Sequence, residues 1–126
     1  MTDHTDNAAT VRSFCEAWTR RDPTELTAFF TDDAVYHNIP MQPLTGREAI
    51  ARFIERFAAE ASSAEFEIKH LAAAGDIVFT ERIDRFQQGD HSIALPVAGV
   101  FELRNGKISA WRDYFDLASW TNQARG

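Results

Sequence analysis

The pair Asn105-Gly106 stands between two apolar runs, 97–103 and 108–115, and constrains the fold more than any other feature of the chain. Asn-Gly supplies the two positive-φ residues that a type I′ turn demands, and that turn matches the right-handed twist of the strands it joins. A β-hairpin follows. With Asn105 and Gly106 as the loop, Arg104 faces Lys107, and regular pairing outward sets Glu102 against Ser109, Val100 against Trp111 and Ala98 against Asp113. Asp113 then shares a face with Trp111, Phe115, Val100 and Ala98. A carboxylate among apolar side chains is costly to desolvate unless it is protonated, paired or hydrogen-bonded, and such groups concentrate at active sites. A salt-bridged structural Asp at a strand end fits the same pattern, and both readings stay open at this point.

The rest of the chain narrows the setting. Its 126 residues make one domain with an ordinary globular composition, large enough to bury roughly two thirds of its unfolded surface. The formal charge is −6 with no basic run, which argues against nucleic acid or an anionic membrane as partner. Cys15, the only cysteine, falls in an apolar helical pattern and reads as a core residue, so no internal disulfide forms. The polar start, Met1-Thr2-Asp3-His4-Thr5-Asp6, lacks the basic and apolar regions of a signal peptide, and no apolar run is long enough to span a membrane. The default expectation is a cytoplasmic protein.

In chain order, Val11, Phe14, Cys15 and Trp18 recur at the spacing of one helix face, predicting a helix over 6–21 with Asp6 as candidate N-cap. Asp22-Pro23-Thr24-Glu25 opens a second, short helix ending near Asp32, with Pro at its first position. Residues 34–39 read as a strand closed by Pro40, with Tyr36 and Asn38 on one face and His37 on the other. Thr45-Gly46-Arg47-Glu48 has the form of a capping box, and Ile50, Phe53, Ile54 and Phe57 supply the stripe of a third helix ending near Ala61. Strands follow over 65–72, 77–86 and 92–103, the first alternating Phe66, Ile68 and His70 against Glu65, Glu67, Lys69 and Leu71. Three helices, one short strand and a four-strand meander predict an α+β domain: a curved mixed or antiparallel sheet forming a cone around a pocket, with three helices of the N-terminal half on its concave side.

On those strands sit polar residues that packing does not ask for: Tyr36, Asn38, Arg82, Asp84 and Asp113. Val78, Thr80, Arg82, Asp84 and Phe86 share one face of their strand, so Arg82 and Asp84 stand side by side. An Arg-x-Asp pair is usually a surface ion pair of little worth. Convergence with Asp113 gives it a chemical use, since an arginine between two carboxylates lets them share one proton, leaving one an acid and the other a base. That pairing suits deprotonation of water together with protonation of a poor leaving oxygen.

Together, Tyr36-x-Asn38-x-Pro40, Glu81-Arg82-x-Asp84 and Val100-Phe101-Glu102-Leu103-Arg104-Asn105-Gly106-Lys107-Ile108, running into Trp111-Arg112-Asp113-Tyr114-Phe115-Asp116, resemble the limonene epoxide hydrolase family. That family lies within the larger nuclear-transport-factor-like group of α+β cones, and the resemblance covers nearly the whole chain. It implies Asp113 as general base, Tyr36 and Asn38 as holders of the nucleophilic water, Asp84 as general acid and Arg82 as the bridge between the carboxylates. It further implies one-step attack by water on an epoxide, no metal or organic cofactor, and a homodimer packed sheet to sheet. An Arg82→Ala variant would then lose activity with its fold intact.

The residues agree in what they lack. There is no Gly-x-Ser-x-Gly elbow or glycine-rich phosphate loop, and His4, His37, His70 and His91 have no metal-ligand spacing. Ten Phe supply pocket walls, with Met41 and Leu44 expected near the mouth. The substrate expected is a small, largely apolar, cyclic or terminal epoxide. Two alternatives keep the same scaffold: proton transfer next to a carbonyl, as in ketosteroid isomerases or polyketide-type cyclases, and a non-catalytic ligand-binding module whose polar cluster is structural.

Overall fold

The computed structural model describes residues 4–125; the polar start Met1-Thr2-Asp3 and the side chains of His4 and Thr5 lie outside the described residues. The elements run α1 (His4–Ala17), α2 (Pro23–Thr27), β1 (Phe30–Asn38), β2 (Leu44–Thr45), α3 (Arg47–Glu60), β3 (Ala61–Ala74), β4 (Ile77–Gln88), β5 (His91–Arg104), β6 (Lys107–Tyr114) and α4 (Leu117–Arg125). One curved, unclosed six-stranded sheet has the order β2-β1-β6-β5-β4-β3. The meander β3 to β6 is antiparallel, and β1 joins it parallel to β6, so the sheet is mixed. Phe14 and Cys15 of α1, Trp18 just after it, Leu26 of α2 and Ile50 and Ile54 of α3 fill the concave face against Val78, Phe101, Ile108 and Trp111.

The hairpin forms as the sequence predicts, with φ of 53° at Asn105 and 78° at Gly106. Its register does not. Beyond Leu103–Ile108 the pairing slips by one residue, so that Glu102 faces Ala110 and Ser109 bulges, its hydroxyl donating to the Glu102 carbonyl at 3.1 Å. Ile108 and Trp111, three apart, are both fully buried; a regular strand would send them to opposite faces, and one extra residue turns both inward. Asp113 therefore faces Gly99 and Trp111 faces Phe101, while Val100 and Ala98 point to the outer face. β3 uses the same device. A register shift between Ile68 and His70 lets both Ile68 and Leu71 pack on the core, leaving His70 exposed against the regular alternation.

Local signals were overridden at four further places. α1 already begins at His4, so Asp6 lies in its first turn, where a carboxylate favours the helix dipole rather than capping it. α2 does open on Asp22, whose side chain accepts from the Thr24 and Glu25 amides, but it stops at Thr27 because β1 starts at Phe30. The capping box at Thr45 does not form, since Thr45 is paired with Val35 in β2 and Gly46 becomes the N-cap at φ 93°. A fourth helix, α4, adds to the three that the sequence predicts, and Asp116 Oδ1 accepts from the Ala118 amide at its start. Trp120 and Ala124 of α4 pack with Phe115 on Phe86, Ile93, Leu95 and Val97, closing the far end of the concave face.

Candidate active site

Strand pairing alone sets the site in rungs across the sheet. Tyr36, Trp111, Phe101 and Val78 form one rung, and Asn38, Asp113, Gly99 and Thr80 the next. Arg82 and Asp84 follow Thr80 along β4 at intervals of two, so all point to the concave face. Asp113 and Arg82 thus lie on strands separated by β5, and what joins them is the residue between. At Gly99 a Cβ would stand 2.4 Å from Arg82 Nη1, 2.8 Å from Asp113 Oδ1 and 2.9 Å from Thr80 Oγ1. Only the bare backbone of glycine leaves room for the guanidinium to cross.

Arg82 is fully buried, and its N–H groups make five hydrogen bonds. Nε and Nη2 donate to Asp84 Oδ1 and Oδ2 at 2.9 and 2.8 Å, Nη1 and Nη2 to Asp113 Oδ1 and Oδ2 at 3.2 and 2.9 Å, and Nη1 also to Thr80 Oγ1 at 3.1 Å. A guanidinium has five N–H donors in a rigid fork, so this fork is saturated and both carboxylates are gripped bidentately. Phe66 lies 5.1 Å below its carbon centre, adding a cation–π contact. Asp113 accepts one more bond, from Trp111 Nε1 at 2.7 Å. The Tyr36 hydroxyl donates to Asn38 Oδ1 at 3.1 Å, and the Tyr36 ring stacks on Trp111 with centroids 4.0 Å apart.

Three charged groups with side chains at most 8% exposed, Arg82, Asp84 and Asp113, carry a formal sum of −1. An unbalanced buried charge is expensive, and one bound proton removes it. In keeping with this, burial pushes the Asp84 carboxyl up to about 6 against the pull of Arg82, with the Asp113 charge adding to the rise. Burial works against the charge on Arg82, but Asp113 and Asp84 outweigh it and hold the guanidinium well above its ordinary value. Burial, and then the Asp113 charge, raise Tyr36 well above a free phenol, keeping its O–H as a neutral donor.

Above the cluster is a cavity of about 50 Å³ whose walls include Trp18, Phe53, Phe57, Phe86, Phe115 and Trp120, with Tyr36, Asn38, Asp84 and Asp113 as its polar residues. All five residues singled out on the strands, Tyr36, Asn38, Arg82, Asp84 and Asp113, meet here. Met41 and Leu44 do not line it. After Asn38 the chain turns away, the Met41 amide bonding the Asn38 carbonyl at 2.7 Å, which leaves Met41 exposed and Leu44 packed on the main core. Phe115 and Trp120 line the cavity instead. Sequence reasoning missed Thr80 as an acceptor for Arg82, Trp111 as a donor and Gly99 as the crossing point. Of these only Gly99 carried a signal, because a glycine inside an otherwise apolar strand marks close approach of another group.

The catalytic-domain model of limonene-1,2-epoxide hydrolase matches residues 5–125. The epoxide hydrolase EphG of Mycobacterium tuberculosis is 34% identical over 107 residues, spanning 85% of this chain and 71% of that protein. A solved M. tuberculosis epoxide hydrolase of the same type superposes with a TM-score of 0.88 at 31% identity, over 99% of this chain and 94% of that one. A protein of ketosteroid isomerase-like fold from Catenulispora acidiphila superposes with a TM-score of 0.83 at 27% identity, over 92% of each chain. On the match across residues 5–125 and the identity to EphG, the chain belongs to the limonene-1,2-epoxide hydrolase family.

Proposed function

We propose that this chain, folded as a single cone domain, hydrolyses a small, largely apolar cyclic or terminal epoxide to a vicinal diol in one step, with Asp113 as general base and Asp84 as general acid. The observation that carries this reading is the buried Arg82 bound bidentately to both carboxylates, which leaves the trio one proton short of neutrality. That proton belongs on Asp84, held up at about 6, where it can be given to the epoxide oxygen. Asp113, ionised, takes a proton from the attacking water, and Tyr36 and Asn38, on β1 beside it, hold that water. The apolar walls suit a substrate with few polar groups and strengthen each charge interaction by excluding bulk water. An isomerase-type proton transfer fits less well, since it needs a single base and a free phenol, whereas Asp113 is tied to a second carboxylate and the Tyr36 hydroxyl is committed to Asn38.

The test is incubation with cyclohexene oxide and a panel of cyclic and terminal epoxides in oxygen-18 water. Wild type is expected to form diol carrying the label after a single turnover, and Asp113→Asn and Asp84→Asn each to be slower by roughly 10²- to 10⁴-fold. No diol from any epoxide discards the reading, and label in the protein discards the one-step route. Against pH, the acid form of Asp84 is lost as pH rises through about 6, so kcat/KM should decline on the alkaline side. Asp84→Asn should lack that limb.

We also read the outer face of β4, β5 and β6, where Phe79 and Tyr114 are 47% and 45% exposed, as the face on which a second copy pairs sheet to sheet. Sedimentation velocity at micromolar concentration should find a dimer; monomer alone removes this pairing.

A further inference from the structure

The two oxygens of Asp113 have different surroundings. Oδ1 accepts from Trp111 Nε1 at 2.7 Å and from Arg82 Nη1 at 3.2 Å, and it lies under Gly99, where a Cβ would come within 2.8 Å of it. Among the described residues, Oδ2 accepts from Arg82 Nη2 alone, at 2.9 Å. A carboxylate oxygen offers two lone pairs, so Oδ1 is filled and Oδ2 keeps one free. Trp111 cannot swing away from this contact. It is fully buried, stacked between Tyr36 at 4.0 Å and 10° and Phe101 at 5.5 Å and 15°, with Phe14 edge-on at 5.0 Å.

We propose that Trp111 is a positioning residue that commits Oδ2 of Asp113 to the water by occupying Oδ1 with its indole N–H. The inference rests on the hydrolase reading above. In the step it serves, a water O–H bond breaks and its proton goes to Oδ2, while the water oxygen bonds one epoxide carbon. The C–O bond of the ring at that carbon breaks, and the epoxide oxygen takes the proton of Asp84. One water and one epoxide become one diol, and the proton on Asp113 returns to Asp84 before the next turnover. With Oδ1 held by two donors, the carboxylate can neither rotate nor present the wrong oxygen, and its charged form gains the indole hydrogen bond. The titratable groups around Asp113 are Arg82 and Asp84 on β4, Tyr36 on β1 and Cys15 on α1; α3 and α4 present Phe53, Phe57 and Trp120.

Trp111→Phe keeps an aromatic ring between Tyr36 and Phe101 and removes the donor together with part of the buried ring volume, so a packing control is needed beside it. Diol formation should show kcat lower by about 10- to 100-fold with KM little changed, and the acid limb of the pH profile should move up by about one unit. Phe101→Leu, which loosens the stack and keeps the N–H, should lower the melting temperature without moving that limb. Independently of turnover, the carbon-13 chemical shift of the Asp113 carboxyl at neutral pH should differ between wild type and Trp111→Phe, which has one donor fewer on Oδ1, and stay the same in Phe101→Leu. An unmoved acid limb and carboxyl signal overturn the proposal, as does an equal change in Phe101→Leu. Should Trp111→Phe not fold, benzothienylalanine at the same position keeps the ring shape and exchanges N–H for sulfur, with the same expected results. A wild type that makes no diol defeats the hydrolase reading, while the carboxyl signal still decides the part played by Trp111.

Discussion

Arg82→Ala is expected to abolish measurable diol formation and to destabilise the fold by about 3–5 kcal/mol at neutral pH, the cost of stripping one partner from a buried ion pair. A bridge at the surface of a pocket would be expendable for folding, and from sequence Arg82 has that appearance. In the structure it is a core residue, fully buried, with all five N–H groups spent and Phe66 beneath it. Its removal leaves Asp84 and Asp113 facing each other with Trp111 Nε1 as the remaining donor to Asp113 among the described residues. The sign of the pH dependence follows from Asp84. Burial already holds its carboxyl at about 6, above the ordinary 3.8, and the guanidinium opposes that rise, so its loss lifts Asp84 further. A group raised in the folded state contributes stability that is complete below its unfolded value and lost as pH climbs through its folded value. The deficit of Arg82→Ala relative to wild type should therefore be small near pH 4 and grow through pH 6 towards neutrality. Urea unfolding of both proteins at the two ends of that range measures it. An equal deficit at both would mean that lost packing, rather than unbalanced charge, is what Arg82 prevents.

The five polar side chains were legible because strand periodicity is short-ranged. Arg82 and Asp84, or Tyr36 and Asn38, need only a spacing of two to share a face, and Asn105-Gly106 carries its turn in two residues. What the sequence left hidden depends on partners far away along the chain. Ser109 bulges because Ile108 and Trp111 both find room in a core built by α1 and β5, and Thr45 gives up its cap because Val35 claims it for β2. α4 is hidden in the sequence for a related reason. Leu117 to Arg125 carries only a short stripe, Leu117, Trp120 and Ala124, too brief to mark a helix by itself, and Trp120 becomes half-buried only where β4 and β5 extend beyond the end of β6. There the Gln123 side chain pairs with the Ala94 amide at 2.8 Å and its carbonyl at 3.0 Å, satisfying an edge of β5 that no strand covers.

Gly99→Ala is expected to lower kcat/KM by about 10²-fold or more, since misplacing a catalytic group by about 1 Å can cost that much. The backbone conformation at Gly99 is not in the left-handed region, so an alanine is tolerated by the chain itself and the effect comes from space alone. The added methyl would stand 2.4 Å from Arg82 Nη1, closer than carbon and nitrogen approach, and the guanidinium must yield. It cannot do so without loss, because the Nη1 that must move is the atom that holds Thr80 Oγ1 and Asp113 Oδ1. Overpacking of this kind costs about 1–3 kcal/mol. Gly106→Ala supplies the contrast. Gly106 sits at φ 78° in the hairpin turn with no atom within 4 Å of an added Cβ, so its substitution strains the backbone by about 1 kcal/mol while leaving every site atom where it was. The two variants should thus be comparably less stable in thermal unfolding, with only Gly99→Ala impaired in turnover. Should Gly99→Ala hydrolyse epoxides at the wild-type rate, the crossing of Arg82 over β5 to Asp113 is dispensable, and the case for a proton shared across that arginine falls with it.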